Sequence, residues 1–170
     1  MHSDAFTGSL LRTLVASKPG GAFLELGTGC GLGTSWMLDG MDASARLTSV
    51  DTDPVVQAIA HDVLGPDLRL RLVLEDGGDF LANATDTFDL IYADAWPGKF
   101  SDLDRALALV KPGGIYLVDD MLPQPNWPDG HDVKAAALIE RLLVLQDFQS
   151  TWLEWSTGLI ICVRTHCPGA

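Results

Sequence analysis

The stretch that decides the fold is Phe23-Leu24-Glu25-Leu26-Gly27-Thr28-Gly29-Cys30-Gly31-Leu32-Gly33. A short apolar run containing one acid opens into a turn with glycine at every second position. Glycine permits positive φ there, and a ligand can approach the backbone without meeting a Cβ. Residues 34–38 then predict the first turns of a helix, whose free N–H groups would face the turn. The stretch therefore predicts a strand, a turn and a helix, and it favours a nucleotide-like ligand.

Two common nucleotide-binding motifs do not fit the spacing of these glycines. A phosphate-binding P-loop needs a glycine, four further residues and then Gly-Lys-Ser/Thr, and no lysine occurs between Lys18 and Lys99. The dinucleotide fingerprint needs a glycine at position 32 or 34, where the chain has Leu32 and Thr34. What remains is the pattern acid-x-Gly-x-Gly-x-Gly, and a turn that binds no ligand is the alternative.

Strand-like and helix-like segments alternate along the chain. The predicted strands are 23–26, 46–50, 68–74, 88–93 and 115–118, and a β-hairpin is predicted from 151–155 and 159–164. The predicted helices are 10–16, one from 34, 55–64, a short stretch to 84, 101–110 and one within 132–147. Alternation of this kind is typical of a parallel sheet with helices on both faces, where ligands bind beyond the carboxyl ends of the strands.

Acids follow the predicted strands at those carboxyl ends: Asp51, Asp76, Asp94, and the pair Asp119-Asp120. Aspartate is also a common turn and helix-capping residue, so any one of these positions has a purely structural interpretation. The whole set beside a glycine-rich turn favours a site.

Length and composition predict one domain over 1–170, with a short N-terminal helical addition at 1–20 and the core at 21–170. No run approaches the ~18 apolar residues of a membrane span, and the first residues do not resemble a secretory signal. Three cysteines, Cys30, Cys162 and Cys167, indicate neither a disulfide set nor a metal site, which favours the cytoplasm. The net charge of −12 argues against a nucleic-acid partner.

The glycine turn and the acids together resemble class I S-adenosylmethionine-dependent methyltransferases, from about Leu24 to Arg164. The resemblance implies a Rossmann-like, doubly wound, mostly parallel seven-stranded sheet that ends in an antiparallel hairpin. It implies that Asp51 holds the ribose hydroxyls and that Asp76 meets the adenine amino group. The implied cofactor-binding residues are Glu25, Gly27, Thr28, Gly29, Gly31, Asp51, Thr52, Asp76, Gly77 and Asp94.

Within that family the chain is most similar to the catechol-O-methyltransferase-like enzymes. The resemblance implies Asp94 and Lys99 as catalytic residues, and Asp94, Asp119 and Asp120 as ligands of Mg²⁺. Asp120 stands where the subgroup has Asn, and Lys99 lies two residues further from Asp94 than the usual lysine does. Because of that departure we prefer a metal-independent interpretation. His131 is a further candidate base, in a predicted loop.

The expected function is S-adenosylmethionine-dependent methyl transfer to an oxygen, in preference to a nitrogen, of a small-molecule acceptor. Two alternatives stay open: an NAD-dependent dehydrogenase, and a non-catalytic protein that binds S-adenosylmethionine. Since the N-terminal addition is short, a second copy of the chain in a homodimer is a candidate for completing the acceptor site.

Overall fold

The computed structural model describes residues 4–125 and 127–165, so Cys167 lies outside the described residues. The helices are α1 (Ala5–Ala16), α2 (Leu32–Gly40), α3 (Pro54–Leu64), α4 (Gly77–Asn83), α5 (Leu103–Ala108) and α6 (His131–Leu143). The strands are β1 (Ala22–Leu26), β2 (Arg46–Asp51), β3 (Leu70–Leu74), β4 (Phe88–Ala93), β5 (Val110–Val118), β6 (Phe148–Leu153) and β7 (Leu159–Arg164). None of the helices in these ranges combines the length and the apolarity that a membrane crossing needs.

The strands form one seven-stranded sheet in the order β3-β2-β1-β4-β5-β7-β6. The pairs among β1 to β5 are parallel, whereas β7 is antiparallel to both β5 and β6. The predicted Rossmann-like sheet with a C-terminal antiparallel hairpin is therefore confirmed. The strand order reverses between β1 and β4, and in sheets of this type a ligand crevice lies at that point.

Several predicted boundaries were wrong for local physical reasons. Helix α1 begins at Ala5, not at residue 10, because the Asp4 carboxylate accepts hydrogen bonds from the backbone N–H of Phe6 and Thr7, both at 2.8 Å. Strand β3 begins at Leu70, two residues late, and Leu68 is 96% exposed. Strand β5 begins at Val110, not at residue 115, while α5 ends at Ala108, not at residue 110. Strand β6 begins three residues early, at Phe148.

The core lies on both faces of the sheet. Along β4, Ile91 and Ala93 belong to one buried cluster, whereas Leu90 and Tyr92 belong to the other. Successive side chains of a strand point to opposite faces, so the two clusters cover the two sides. All four residues are fully buried, as expected for a central strand of a parallel sheet with helices on both faces.

Helices α1 and α2 touch at two glycines. A Cβ on Gly8 would lie 2.3 Å from the Trp36 ring, and a Cβ on Gly40 would lie 2.2 Å from the carbonyl oxygen of Arg12. The second contact is to backbone, which cannot rotate away as a side chain can. This close approach holds α1 against the helix that follows the glycine turn.

We expect Gly40→Ala to lower the free energy of unfolding by about 1–3 kcal/mol, because the added methyl group overpacks the α1–α2 contact. Urea denaturation followed by circular dichroism measures the change. The neighbouring variant Asp39→Ala is the control, since it removes only an exposed ion pair to Arg12 at 3.2 Å and should cost less than about 1 kcal/mol. Equal stability of Gly40→Ala and the unmodified protein would show that the helices can separate without cost.

Candidate active site

Two cavities adjoin at the carboxyl edge of the sheet. The first, of about 220 Å³, is lined by Glu25, Gly27, Thr28, Gly29, Cys30, Leu32, Gly33, Asp51, Asp94 and Ala95. The second, of about 90 Å³, is lined by Leu26, Gly27, Val50, Asp51, Thr52, Asp76, Gly77, Ala95 and Pro97. Gly27, Asp51 and Ala95 line both, so the two cavities share a wall.

The structure brings together nine of the ten residues predicted for cofactor binding, all except Gly31, in these two cavities. A Cβ on Gly31 would lie 2.9 Å from both Ala60 and Leu64, so this glycine allows α2 to pack on α3. Sequence reasoning missed Leu26, Cys30, Leu32, Val50 and Ala95 as lining residues. Their only signal was adjacency to predicted positions, since their side chains carry no distinctive chemistry for binding.

The two glycines at the start of the turn do different things. A Cβ on Gly27 would lie 2.9 Å from the carbonyl oxygen of Asp94, so the turn passes directly against the end of β4. Gly29 has φ +51°, and no atom lies within 4 Å of where its Cβ would be. Gly29 therefore exposes its backbone to open space beside the first cavity, as close approach by a ligand requires.

The carboxylates of Asp51 and Asp76 already hold backbone groups. Asp51 accepts hydrogen bonds from the N–H of Gly29 at 2.7 Å and of Asp53 at 2.8 Å, which fixes the glycine turn to the end of β2. Asp76 caps α4 by accepting from Gly78 at 2.8 Å and Asp79 at 3.2 Å. A carboxylate has about four acceptor positions, so both side chains keep capacity for a ligand in the cavity.

Glu25 is buried beneath the turn. Its Oε2 accepts hydrogen bonds from the hydroxyls of Thr34 and Ser49, each at 2.5 Å. Burial raises the pKa of Glu25 to about 8, and the neighbouring Asp94 and Asp51 carboxylates also disfavour its charge. The carboxyl group is consequently protonated over much of the neutral range when no cation faces it.

Asp94 and Lys99 form a buried pair beside the first cavity. Lys99 Nζ lies 3.9 Å from Asp94 Oδ1, and the two side chains are only 6% and 13% exposed. Burial raises the pKa of Asp94 to about 7, Lys99 opposes that rise, and Asp119 and Asp120 add to it. Asp94 can therefore gain or lose a proton near neutral pH, which suits a general base.

The loop that carries Lys99 is fastened to the sheet. The buried Tyr116 hydroxyl on β5 donates to the carbonyl oxygen of Gly98, and the Gly98 N–H donates to the carbonyl of Ser101 at 2.8 Å. These contacts fix the backbone on both sides of Lys99. The side chain is thus positioned by the loop, even though it is two residues further from Asp94 than in the family pattern.

The three predicted magnesium ligands do not form a ligand set. Among residues 4–125 and 127–165, no group of three His, Cys, Asp or Glu side chains is placed to hold a metal ion. Asp119 is occupied: Oδ2 accepts from the Tyr92 hydroxyl at 2.8 Å, and Oδ1 accepts from the Asp120 N–H at 2.6 Å and from the Thr157 hydroxyl. The Lys99 ammonium already faces Asp94. In this arrangement the residues do not fit Mg²⁺, and the magnesium site stays a prediction.

The sequence predicted a loop at His131, but this residue is the first of α6. Its ring centroid lies 4.5 Å from that of Trp127, 4.9 Å from Phe100 and 5.8 Å from Trp96. Burial lowers the pKa of His131, and the positive charges of Lys99 and Lys134 lower it further. The neutral imidazole is therefore favoured, and the ring packs as part of an aromatic wall.

The raised pKa of Glu25 predicts a pH-dependent stability. The pKa of Glu25 is about 8 in the folded protein against an ordinary value of 4.5. The stabilisation is therefore complete below pH 4.5 and is lost as the pH rises to about 8. This one group lowers the free energy of unfolding by at most about 1.4 kcal/mol per pH unit in that window. We expect Glu25→Gln, which cannot ionise, to show a shallower decline, while Asp94 keeps its own contribution up to about pH 7.

Urea denaturation of the cofactor-free protein at several pH values measures this dependence. Glu140→Gln, on the exposed surface of α6, is the matched control and should keep the slope of the unmodified protein. Identical slopes for Glu25→Gln and Glu140→Gln would contradict the raised pKa of Glu25.

Comparison with known proteins identifies related chains. The methyltransferase-domain family matches residues 24–121. A proposed O-methyltransferase from Mycobacterium avium is 34% identical over 118 residues, which are 65% of this chain and 53% of that protein. Another from Mycobacteroides abscessus is 31% identical over 146 residues, 78% of this chain and 67% of that protein. The chain thus spans about half of the first relative's length and two thirds of the second's.

The fold also has solved counterparts. The crystal structure of an O-methyltransferase from Bacillus cereus in complex with SAH superposes with a TM-score of 0.80 at 20% identity. The match covers 95% of this chain and 82% of that one. At this identity the likeness concerns the fold alone, whereas the family match covers more than half of the sequence and includes the glycine turn, Asp51, Asp76 and Asp94. The chain therefore belongs to the methyltransferase-domain family.

Proposed function

We propose that the protein is an S-adenosylmethionine-dependent methyltransferase that methylates an oxygen of a small-molecule acceptor. One observation carries the proposal: the glycine turn, Asp51, Asp76 and Asp94 line two adjoining cavities at the reversal point of the sheet. Family membership and the names of the relatives, which call them O-methyltransferases, support the same activity.

The chain's residues suit the parts of this cofactor. Asp51 has acceptor positions left for the ribose hydroxyls, and Asp76 and Gly77 line the smaller cavity, where the adenine would lie. Glu25, buried in the larger cavity with a raised pKa, would regain its charge beside the α-ammonium group of the methionine part. When bound, S-adenosylmethionine supplies an electrophilic methyl group on a sulfonium.

Asp94 and Lys99 would act on the acceptor. With its pKa near 7, Asp94 can take the proton from an acceptor hydroxyl, which makes the oxygen a better nucleophile. The Lys99 ammonium, 3.9 Å from Asp94, would stabilise the negative charge that develops on that oxygen. The loop contact from Tyr116 to Gly98 keeps this pair aligned with the cavity edge.

The family match favours this proposal over an NAD-dependent dehydrogenase, which would also need glycine at position 32 or 34. A non-catalytic cofactor-binding protein would have no use for a buried Asp94–Lys99 pair next to the cavity. The cytoplasmic location, the absence of a nucleic-acid partner and the homodimer stay predictions.

We expect Asp51→Asn to weaken binding of S-adenosylhomocysteine by about 1.5–3 kcal/mol, because one acceptor of charge-assisted hydrogen bonds is lost. Isothermal titration calorimetry measures the affinity. Asp53→Asn is the matched control: Asp53 caps α3 through the N–H of Val55 at 2.8 Å and lines neither cavity, so its variant should bind normally. Full affinity in a folded Asp51→Asn protein would contradict the ribose role.

We expect Mg²⁺ at about 10 mM to leave the melting temperature within about 1 °C, with or without S-adenosylhomocysteine, because the carboxylates do not form a ligand set. A site filled at 100 times its Kd would add about 2.7 kcal/mol, or at least about 5 °C at this chain length. KCl at equal ionic strength is the control. A saturable rise of the melting temperature that disappears in Asp120→Asn would show that the magnesium site exists.

A further inference from the structure

A third cavity, of about 400 Å³, lies beside the Asp94–Lys99 pair. The 94–101 loop contributes Trp96, Lys99 and Phe100 to it, and α6 contributes Lys134, Leu138 and Arg141. Its volume is within the range of small-molecule sites. We call it the loop–α6 pocket.

The pocket adjoins the candidate chemistry. Lys99 lines the loop–α6 pocket, Asp94 lines the larger cofactor cavity, and the two side chains face each other at 3.9 Å. A molecule in the pocket can thus place one end at this pair. The rest of that molecule would extend along α6.

The pocket is positively charged in a strongly negative chain. Three of its lining residues are basic and none is acidic, although the chain has 23 acids against 11 bases. Arg141 is paired with Asp104 at 2.5 Å, and Lys99 faces Asp94. Lys134, by contrast, has no carboxylate within 4.0 Å in the part of the chain that the structure describes, and its Nζ lies 4.7 Å from the Trp96 ring centroid.

The pocket walls suit a flat apolar ring. Trp96 and Phe100 lie with their ring centroids 4.8 Å apart, and Leu138 faces the pocket from α6. Trp96 is 46% exposed, so part of its ring is open to a molecule in the pocket. A ring packed beside Trp96 would bury aromatic surface, and the Lys134 ammonium, which lies over the Trp96 ring, would be within reach of a group on it.

We propose that the loop–α6 pocket binds the methyl acceptor, and that this acceptor is an aromatic anion: a phenol with a carboxylate at the opposite end of its ring. This inference rests on the proposed function. The hydroxyl faces Asp94 and Lys99, the ring packs on Trp96 and Phe100, and the carboxylate pairs with Lys134. Elsewhere the net negative charge of the chain repels anions, so the local cations select this class of acceptor.

Calorimetry with two probes of the same shape tests the charge preference. In the presence of S-adenosylhomocysteine, 4-hydroxybenzoate should bind at least about tenfold more tightly than the neutral 4-hydroxybenzamide. Lys134→Met should weaken 4-hydroxybenzoate about tenfold and leave 4-hydroxybenzamide within about twofold. Arg71→Met, which removes one exposed positive charge outside the pocket, is the matched control and should change neither probe.

Equal affinity for the two probes, or an equal loss of both in Lys134→Met, would overturn the proposal. So would an Arg71→Met protein that behaves like Lys134→Met, because the effect would then be one of net charge. Binding of S-adenosylhomocysteine is measured alone in the same series. If it binds while the probes show no charge preference, the acceptor class fails and the methyltransferase proposal stands; if it does not bind, the methyltransferase proposal itself fails.

Discussion

The site depends on the hydrogen bonds that hold the end of β1 between β2 and β4. The carbonyl oxygen of Leu26 accepts a hydrogen bond at 2.9 Å from the N–H of Asp94, directly after β4, and the next residue, Gly27, donates its N–H to the carbonyl oxygen of Val50 on β2 at 2.9 Å. Successive residues of a central strand bond to opposite neighbours, so these two bonds hold the end of β1 between β4 and β2. Because this happens where the strand order reverses, the ends of β2 and β4 bring Asp51 and Asp94 to opposite sides of one opening.

Burial then sets the chemistry of that opening. Glu25 and Asp94 are both removed from water and close to other carboxylates, so their pKa values rise to about 8 and about 7. Such groups reduce the stability of the empty protein at neutral pH, and a bound cation would relieve the cost. Lys99 relieves part of it for Asp94. A cationic ligand is the natural counterpart for Glu25, and the sulfonium cofactor that we propose carries positive charge.

The acids at the strand ends have divided roles. Asp51 and Asp94 line the larger cavity, whereas Asp119 joins β4, β5 and the β6–β7 turn through Tyr92, Asp120 and Thr157. A carboxylate with this many partners holds the sheet edge together and has little capacity for a ligand. The same residue type at equivalent strand ends therefore supports binding in one place and structure in another.

The sequence by itself determined the fold class, the position of the glycine turn and the acids that gather at one edge, because alternation and turn chemistry are local properties. It could not separate Asp119 from Asp94, place His131 at the start of α6, or find the pocket between the 94–101 loop and α6. Those features depend on which side chains meet across the chain. Hydrogen-bond partners, burial and the charge of a cavity are set by residues far apart in sequence, so only the tertiary structure decided them.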